Sequence, residues 1–275
     1  MVGINVAQPR VLLTNDDGHE ATGLTLLRDV LVQAGCDVMV AAPDTNHSAR
    51  AHAVHTSVEP LRVVRRDSEG VPTLVCSGSP ADCVRIGILG RLIPQPDVVI
   101  SGINHGANAG EDIHYSGTVA AAAEAALLGL PAVAVSQHGD DIGIPSLSGN
   151  PVRFPHLDYV ADVVRWVFDH GLPKGVLLNV NLPNDQAAED ATLCAVGRRD
   201  WARSEVSVEV ASGNSYAADM WAAQPPAKLD EGSDFVSLLA GNATIAALSV
   251  AGGLHDVLDI HRSHLESIPV KLRSP

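Results

Sequence analysis

The chain has 275 residues, 46% hydrophobic and 18% charged, which fits one large domain with a sizeable core and excludes long disorder. Aromatic residues make up only 3%, so the core has to be built from Val, Leu, Ile and Ala. A formal net charge of −14 argues against a nucleic-acid polymer as partner, because phosphate backbones need clustered Lys and Arg. A small anionic substrate stays possible where a metal supplies local positive charge.

In chain order, residues 11–14 read as a first, fully apolar strand. Residues 24–34 have helical spacing and stop at Gly35, a C-terminal cap. Residues 38–42 form the next strand, ended by Pro43, and 74–76 a further short one. Ser79-Pro80-Ala81-Asp82 opens a helix: Ser79 caps it, Pro80 takes the first helical position, and Asp82 lies three after the cap. Residues 98–100 are a strand closed by Ser101-Gly102, and 118–128 an Ala-rich helix. Strands at 132–136 and 176–180 flank a helix at 157–170. This β-α-β order with fully apolar strands predicts an α/β fold, a mostly parallel sheet with helices on both faces. Ligands bind such sheets at the carboxyl ends of the strands.

After about residue 195 the pattern changes. Residues 205–210 alternate like a half-exposed strand, Pro225-Pro226 marks a break, and 233–249 mix a short helical pattern with strand-like 243–250. The expectation is a single domain over 1–275, with a core of about 1–195 and a C-terminal extension of about 196–275 that packs on the core or on another subunit.

Cys36, Cys76, Cys83 and Cys194 are widely spaced without a C-x-x-C, the pattern of free buried thiols in a reducing compartment. The first ten residues lack the apolar core of a signal peptide. The most apolar stretch, 118–135, is interrupted by Glu124, Gly129 and Pro131, so it reads as a helix and a strand, not a membrane span. A cytoplasmic protein without a membrane partner is expected.

Two stretches carry chemistry. The first strand ends in Asn15-Asp16-Asp17-Gly18. Two carboxylates about 4 Å apart repel by roughly 4 kcal/mol at an effective dielectric near 20. A bound cation turns that repulsion into attraction; a solvated turn is the plain alternative. Ser48 follows the second strand and Ser101 to Asn104 follow the 98–100 strand, so three loops bring oxygen-bearing side chains to one sheet edge. An all-oxygen set of this kind favours Mg²⁺, Mn²⁺ or Ca²⁺ over zinc. His47, His52 and His55 match no zinc spacing and read as ordinary polar or supporting residues.

The second stretch runs from Ser101 through Gly102, Gly106 and Gly110 to Ser116-Gly117-Thr118-Val119. Ser116-Gly117-Thr118 precedes the Ala-rich helix, whose N-terminal N–H groups make either an anion site or a simple cap. Neither a Walker pattern nor G-x-G-x-x-G is present, so no nucleotide cofactor is expected. Without a G-x-S-x-G elbow, Ser-His-Asp catalysis has little support.

These blocks resemble the SurE (survival protein E) family of metal-dependent nucleotidases and acid phosphatases. The match is carried by Thr14-Asn15-Asp16-Asp17-Gly18, by Ala42-Pro43-Asp44 through Ser48, by Ser77-Gly78-Ser79-Pro80-Ala81-Asp82-Cys83, and by Ser101-Gly102-Ile103-Asn104 through Gly117-Thr118-Val119. Asn179-Val180-Asn181-Leu182-Pro183 and Gly232-Ser233-Asp234 look like later landmarks. The resemblance implies a Rossmann-like core that hydrolyses nucleoside monophosphates to nucleoside and phosphate, with one divalent cation per subunit. By position it makes Asp16, Asp17, Ser48 and Asn104 the metal ligands, Asp16 and Asp17 the catalytic pair, and Asn108, Ser116, Gly117 and Thr118 the residues facing the phosphate. It also implies a homodimer or homotetramer that exchanges parts of the C-terminal region. The chain departs from the family pattern at Thr45, where a basic residue is usual, at Ser79 in place of Thr, in the loop 137–150, and in the strand 243–250. A non-catalytic module that holds a phosphorylated ligand is the alternative reading.

Overall fold

The structure, a computed structural model, describes residues 8–139, 153–184 and 191–250. Most of the loop 137–150, the first seven residues and the end of the C-terminal extension lie outside the described residues.

The elements follow in chain order: β1 (Arg10–Thr14), α1 (Thr22–Gln33), β2 (Asp37–Pro43), β3 (Val63–Ser68), β4 (Val71–Cys76), α2 (Pro80–Leu89) and β5 (Val98–His105). After a 3-10 turn at Gly110–His114 come α3 (Gly117–Leu127), β6 (Ala132–Gln137), α4 (Leu157–His170), β7 (Val176–Leu182), β8 (Ala191–Leu193) and β9 (Arg198–Arg199). The rest are β10 (Glu205–Ser212), β11 (Ser215–Ala223), β12 (Ala227–Lys228), α5 (Asp234–Leu239) and β13 (Ala243–Ser249).

Nine strands form one sheet in the order β3-β4-β2-β1-β5-β6-β7-β13-β8. The pairs from β4 through β7 are all parallel; β3 on β4 and β13 on β7 are antiparallel. The architecture is thus the expected mostly parallel α/β sheet. Alternation along β1 divides the core. Val11 and Leu13 pack with α1 and α4 on one face, while Leu12 packs with α2 and α3 on the other. Ala at positions 121, 122 and 125 lets α3 lie close to the strands, where larger side chains would hold it off.

The helix caps behave as the sequence predicts. Ser79 accepts from the Asp82 N–H at 3.1 Å, and Asp82 accepts from the Ser79 N–H at 2.9 Å, a reciprocal capping box. Gly35 follows α1 with φ +83°, the left-handed conformation of a helix-terminating glycine.

Three differences are instructive. The strand expected to close at Ile100 runs on to His105, with a register shift against β6 between Ser101 and Asn104. Gly102, at φ +143°, makes this possible: a Cβ there would lie 2.4 Å from the Val135 carbonyl oxygen. β3 was not foreseen, because its Arg65-Arg66-Asp67 is exposed on the sheet edge and carries no apolar alternation. β10, expected to be half-exposed, pairs only with β11, and every residue of it is exposed.

Residues after 195 take two courses. β10 and β11 form an arm outside the main sheet, whereas β13 returns into it between β7 and β8.

Candidate active site

The carboxyl ends of β1, β2 and β5 and the start of α3 converge on one point. β1 delivers Asp16 and Asp17 into a turn locked by Asn15. The Asn15 side chain accepts from the Gly18 N–H at 3.2 Å and donates to the Gly18 carbonyl at 3.0 Å. The His47 N–H donates to the Asp16 carbonyl at 2.7 Å, which ties the loop after β2 to this turn.

Asp16 is 3% exposed, and the Thr118 hydroxyl donates to its Oδ1 at 2.5 Å. A Cβ on Gly117 would lie 2.8 Å from Asp16 Oδ2, so the carboxylate sits directly against the first turn of α3. Burial pushes the Asp16 carboxyl up to about 6; the Thr118 hydroxyl opposes the rise and the Asp17 charge adds to it.

Asp17 is also raised by burial, against the opposing pull of the nearby His105 ring and bonds from Asn46 and Ser48. Asn46 Nδ2 donates to its Oδ1 at 3.2 Å, but Oδ2 is buried with no hydrogen-bond partner. An ionised oxygen left that way is costly unless a ligand completes it. Beside it the donors are mostly hard oxygens, with the His105 ring near Asp17, and among the described residues no three His, Cys, Asp or Glu side chains form a group that could hold a metal ion. Two carboxylates completed by neutral oxygens fit a hard divalent cation and do not fit a zinc site.

The family described as Survival protein SurE matches residues 11–203 of the chain. The chain belongs to this family. A protein named 5'-nucleotidase SurE from Desulfatibacillum aliphaticivorans is 44% identical over 204 residues, covering 73% of this chain and 75% of its own length. Another of that name, from Chloroflexus aggregans, is 39% identical, covering 87% and 92%. The crystal structure of SurE protein from Aquifex aeolicus aligns with a TM-score of 0.73 at 32% identity, covering 94% of this chain and all of that one.

Of the residues expected to hold the metal, Asp16 and Asp17 come together, with Ser48 beside Asp17. Asn104 stands on β5 one residue before His105, with its Nδ2 donating to the Gly106 carbonyl at 2.9 Å. Ser116 caps α3 by accepting from the Val119 N–H at 3.0 Å. Thr118 is fully buried with its hydroxyl turned to Asp16. Asn108 is fixed by its surroundings: its N–H donates to Asn181 at 2.8 Å and its side chain to Ser136 at 2.7 Å.

Sequence reasoning gave no role to Asn46, though it stands inside the block quoted for Ser48, or to His105, the neighbour of Asn104. His52 and His55 bond to protein atoms, Glu124 Oε2 at 2.9 Å and the Glu59 carbonyl at 2.7 Å, as the supporting reading expects. The first of these bonds pins the Ser48 loop to α3. A cavity of about 330 Å³ lies elsewhere, beside α1 and β3, and the Arg28 in its wall is already paired with Asp29 and Glu69.

Proposed function

We propose that this chain is a metal-dependent 5′-nucleotidase that hydrolyses nucleoside monophosphates to nucleoside and phosphate. The buried, unpartnered Asp17 Oδ2 beside a buried Asp16, against the start of a helix, carries the reading. The names of the SurE relatives point the same way.

Asp16, Asp17, Ser48 and Asn104 would hold one Mg²⁺, Mn²⁺ or similar cation. Such an ion, when bound, polarises a phosphoryl oxygen and offsets the charge of the two carboxylates. The protein's own groups do the rest. The first turn of α3, at Ser116 and Gly117, presents N–H groups and the positive helix end to the phosphoryl oxygens, where charge accumulates in transfer. Thr118 holds Asp16 in place, and Asn108 borders the phosphate from the loop after β5. A carboxylate oxygen of Asp16 or Asp17 accepts a hydrogen bond from the attacking water and so orients it.

The β10–β11 arm exposes Val206, Val208, Val210, Tyr216 and Met220. An apolar ribbon of this kind needs cover, and a second copy of this chain, in a homodimer or homotetramer, supplies it. No helix among the described residues is long and apolar enough to cross a membrane. The free cysteines suit a reducing cytoplasm.

Phosphate release from a panel of nucleoside monophosphates, with Mg²⁺ or Mn²⁺ and with EDTA, tests the reading. Metal-dependent release that EDTA removes is expected. Nucleotide binding without release under any metal would replace it with the non-catalytic binding module.

A further inference from the structure

The chain contains only 3 Trp, 3 Tyr and 3 Phe, and three of these rings meet at one spot. Tyr115 stands 5.8 Å from Trp201 and 6.5 Å from Trp221, ring centre to ring centre. The rings come from three places: the turn before α3, the segment after β9, and the end of β11. Local sequence therefore does not explain their meeting.

Nor does core formation. Tyr115 is 47% exposed, and both tryptophans are partly open. The cluster is nevertheless held firmly. Trp201 Nε1 donates to Glu111 Oε2 at 2.6 Å, which fixes the plane of the indole. The same carboxylate oxygen accepts from the Arg199 N–H at 2.9 Å, and Arg199 is anchored on Asp112 at 2.5 Å. The Ala51 N–H donates to the Tyr115 carbonyl at 3.1 Å, joining the turn to the Ser48 loop.

Tyr115 immediately precedes Ser116, the cap of the helix whose first turn faces the phosphate. An exposed, orientated aromatic cluster one residue from a phosphate position suits a planar base attached to that phosphate. Stacking on such rings is favourable for every base, because every base has a π face. We infer that Tyr115, Trp201 and Trp221 form the nucleobase platform of this site, Tyr115 stacking on the face of the base, Trp221, at 89° to the Tyr115 ring, meeting that base edge to face, and Glu111 positioning Trp201. The inference rests on the nucleotidase reading and adds how nucleosides are told from other phosphate esters. A platform of this kind favours nucleotides over esters without a base, with little choice among bases, since stacking reads no hydrogen-bond pattern.

The test compares AMP with glycerol 2-phosphate, a phosphomonoester with no base, on the full chain. In Tyr115→Ala and Trp221→Ala the ratio of kcat/KM for AMP to that for glycerol 2-phosphate should fall about tenfold each, through KM for AMP. Tyr115→Phe and Trp221→Phe, which keep a ring, should restore most of it. A ratio unchanged in both Ala variants overturns the inference, as does an equal loss on the two substrates, the mark of a merely structural cluster. If wild type hydrolyses neither ester, the nucleotidase reading fails and binding decides the platform separately. Adenosine is then titrated against the fluorescence of a Trp166→Phe chain, whose signal comes from Trp201 and Trp221 alone. Saturable quenching, weakened by Tyr115→Ala, upholds the platform; no quenching by adenosine or AMP overturns it, also where an Ala variant does not fold.

Discussion

Two acidic clusters in this protein are built in opposite ways. In one, Asp112 is paired with Arg199 through two bonds of 2.5 Å, and Asp234 accepts from the N–H groups of Gly110, Gly197 and Phe235 at 2.8 to 2.9 Å. Each of these carboxylates is satisfied by the chain itself, and together they fasten the turn before α3 to the segment after β9. In the other, Asp16 and Asp17 receive hydrogen bonds from Thr118, Asn46 and Ser48, have the His105 ring nearby but no arginine among their partners, and one oxygen is left bare. Burial raises Asp16, Asp17, Asp112 and Asp234 alike, so burial does not distinguish the clusters. A paired guanidinium does: the structural cluster contains Arg199, and the cluster at the sheet edge has no such partner and leaves one oxygen open.

Removing one charge from each cluster tests that contrast most severely. Asp16→Asn keeps the shape and the Thr118 bond but removes a carboxylate that only a cation offsets. Turnover should fall by on the order of 10³-fold or more. The melting temperature without metal should hold or rise, and added Mn²⁺ should stabilise the variant less than it stabilises wild type. A variant with full activity would remove Asp16 from the site. Arg199→Met should do the reverse. It leaves Asp112 buried and unpaired, so stability should fall by about 3–5 kcal/mol in denaturant unfolding. Equal stability in Arg199→Met and wild type would mean that the second cluster is not held by its internal charge.

Gly117→Ala sharpens the geometry. Alanine would normally improve a helix by up to about 1 kcal/mol over glycine. Here its Cβ would lie 2.8 Å from both Cβ and Oδ2 of Asp16, so the carboxylate has to move. A shift of about 1 Å can cost roughly 10²-fold in rate. Steady-state kinetics should show a loss of that order with a nearly unchanged melting temperature; undiminished kcat would mean that the placement of Asp16 is not critical.

Much of this was legible in the chain, and the reason is local. Fully apolar strands, the Ser79–Asp82 capping box and the Ser116 cap are set by neighbours in sequence, and the structure has them where the pattern puts them. Asp16 and Asp17 announce themselves because a strand that ends in two charges is unusual whatever its surroundings. What could not be read depends on partners distant in sequence. The bare oxygen of Asp17 is visible only once Asn46 and His105 are placed around it. The Arg199–Asp112 pair spans 87 residues, and the meeting of Tyr115 with Trp221 requires the arm to fold back on the turn before α3. β3 escaped for another reason: an edge strand facing water has no need of the alternation that marks a strand.

A milder prediction separates both buried clusters from an exposed one. Arg10 at the start of β1 donates to Asp97 just before β5, at 3.2 Å and 2.9 Å, and clamps the amino ends of two neighbouring strands. The hydrogen bond from Arg10 holds the Asp97 carboxyl below the ordinary value of 3.8. A depressed native value means that the pair stabilises the fold fully above pH 3.8 and loses its contribution as pH falls through the lower native value. Arg10→Met should therefore lower stability slightly at neutral pH and bring the variant and wild type together at strongly acid pH, as read by denaturant midpoints across the acid range. The difference should also shrink in high salt, because an exposed pair is screened. The Arg199→Met difference should persist in salt, since that pair is closed off from water. If both differences respond equally to salt, burial is not what separates the internal cluster from the surface clamp.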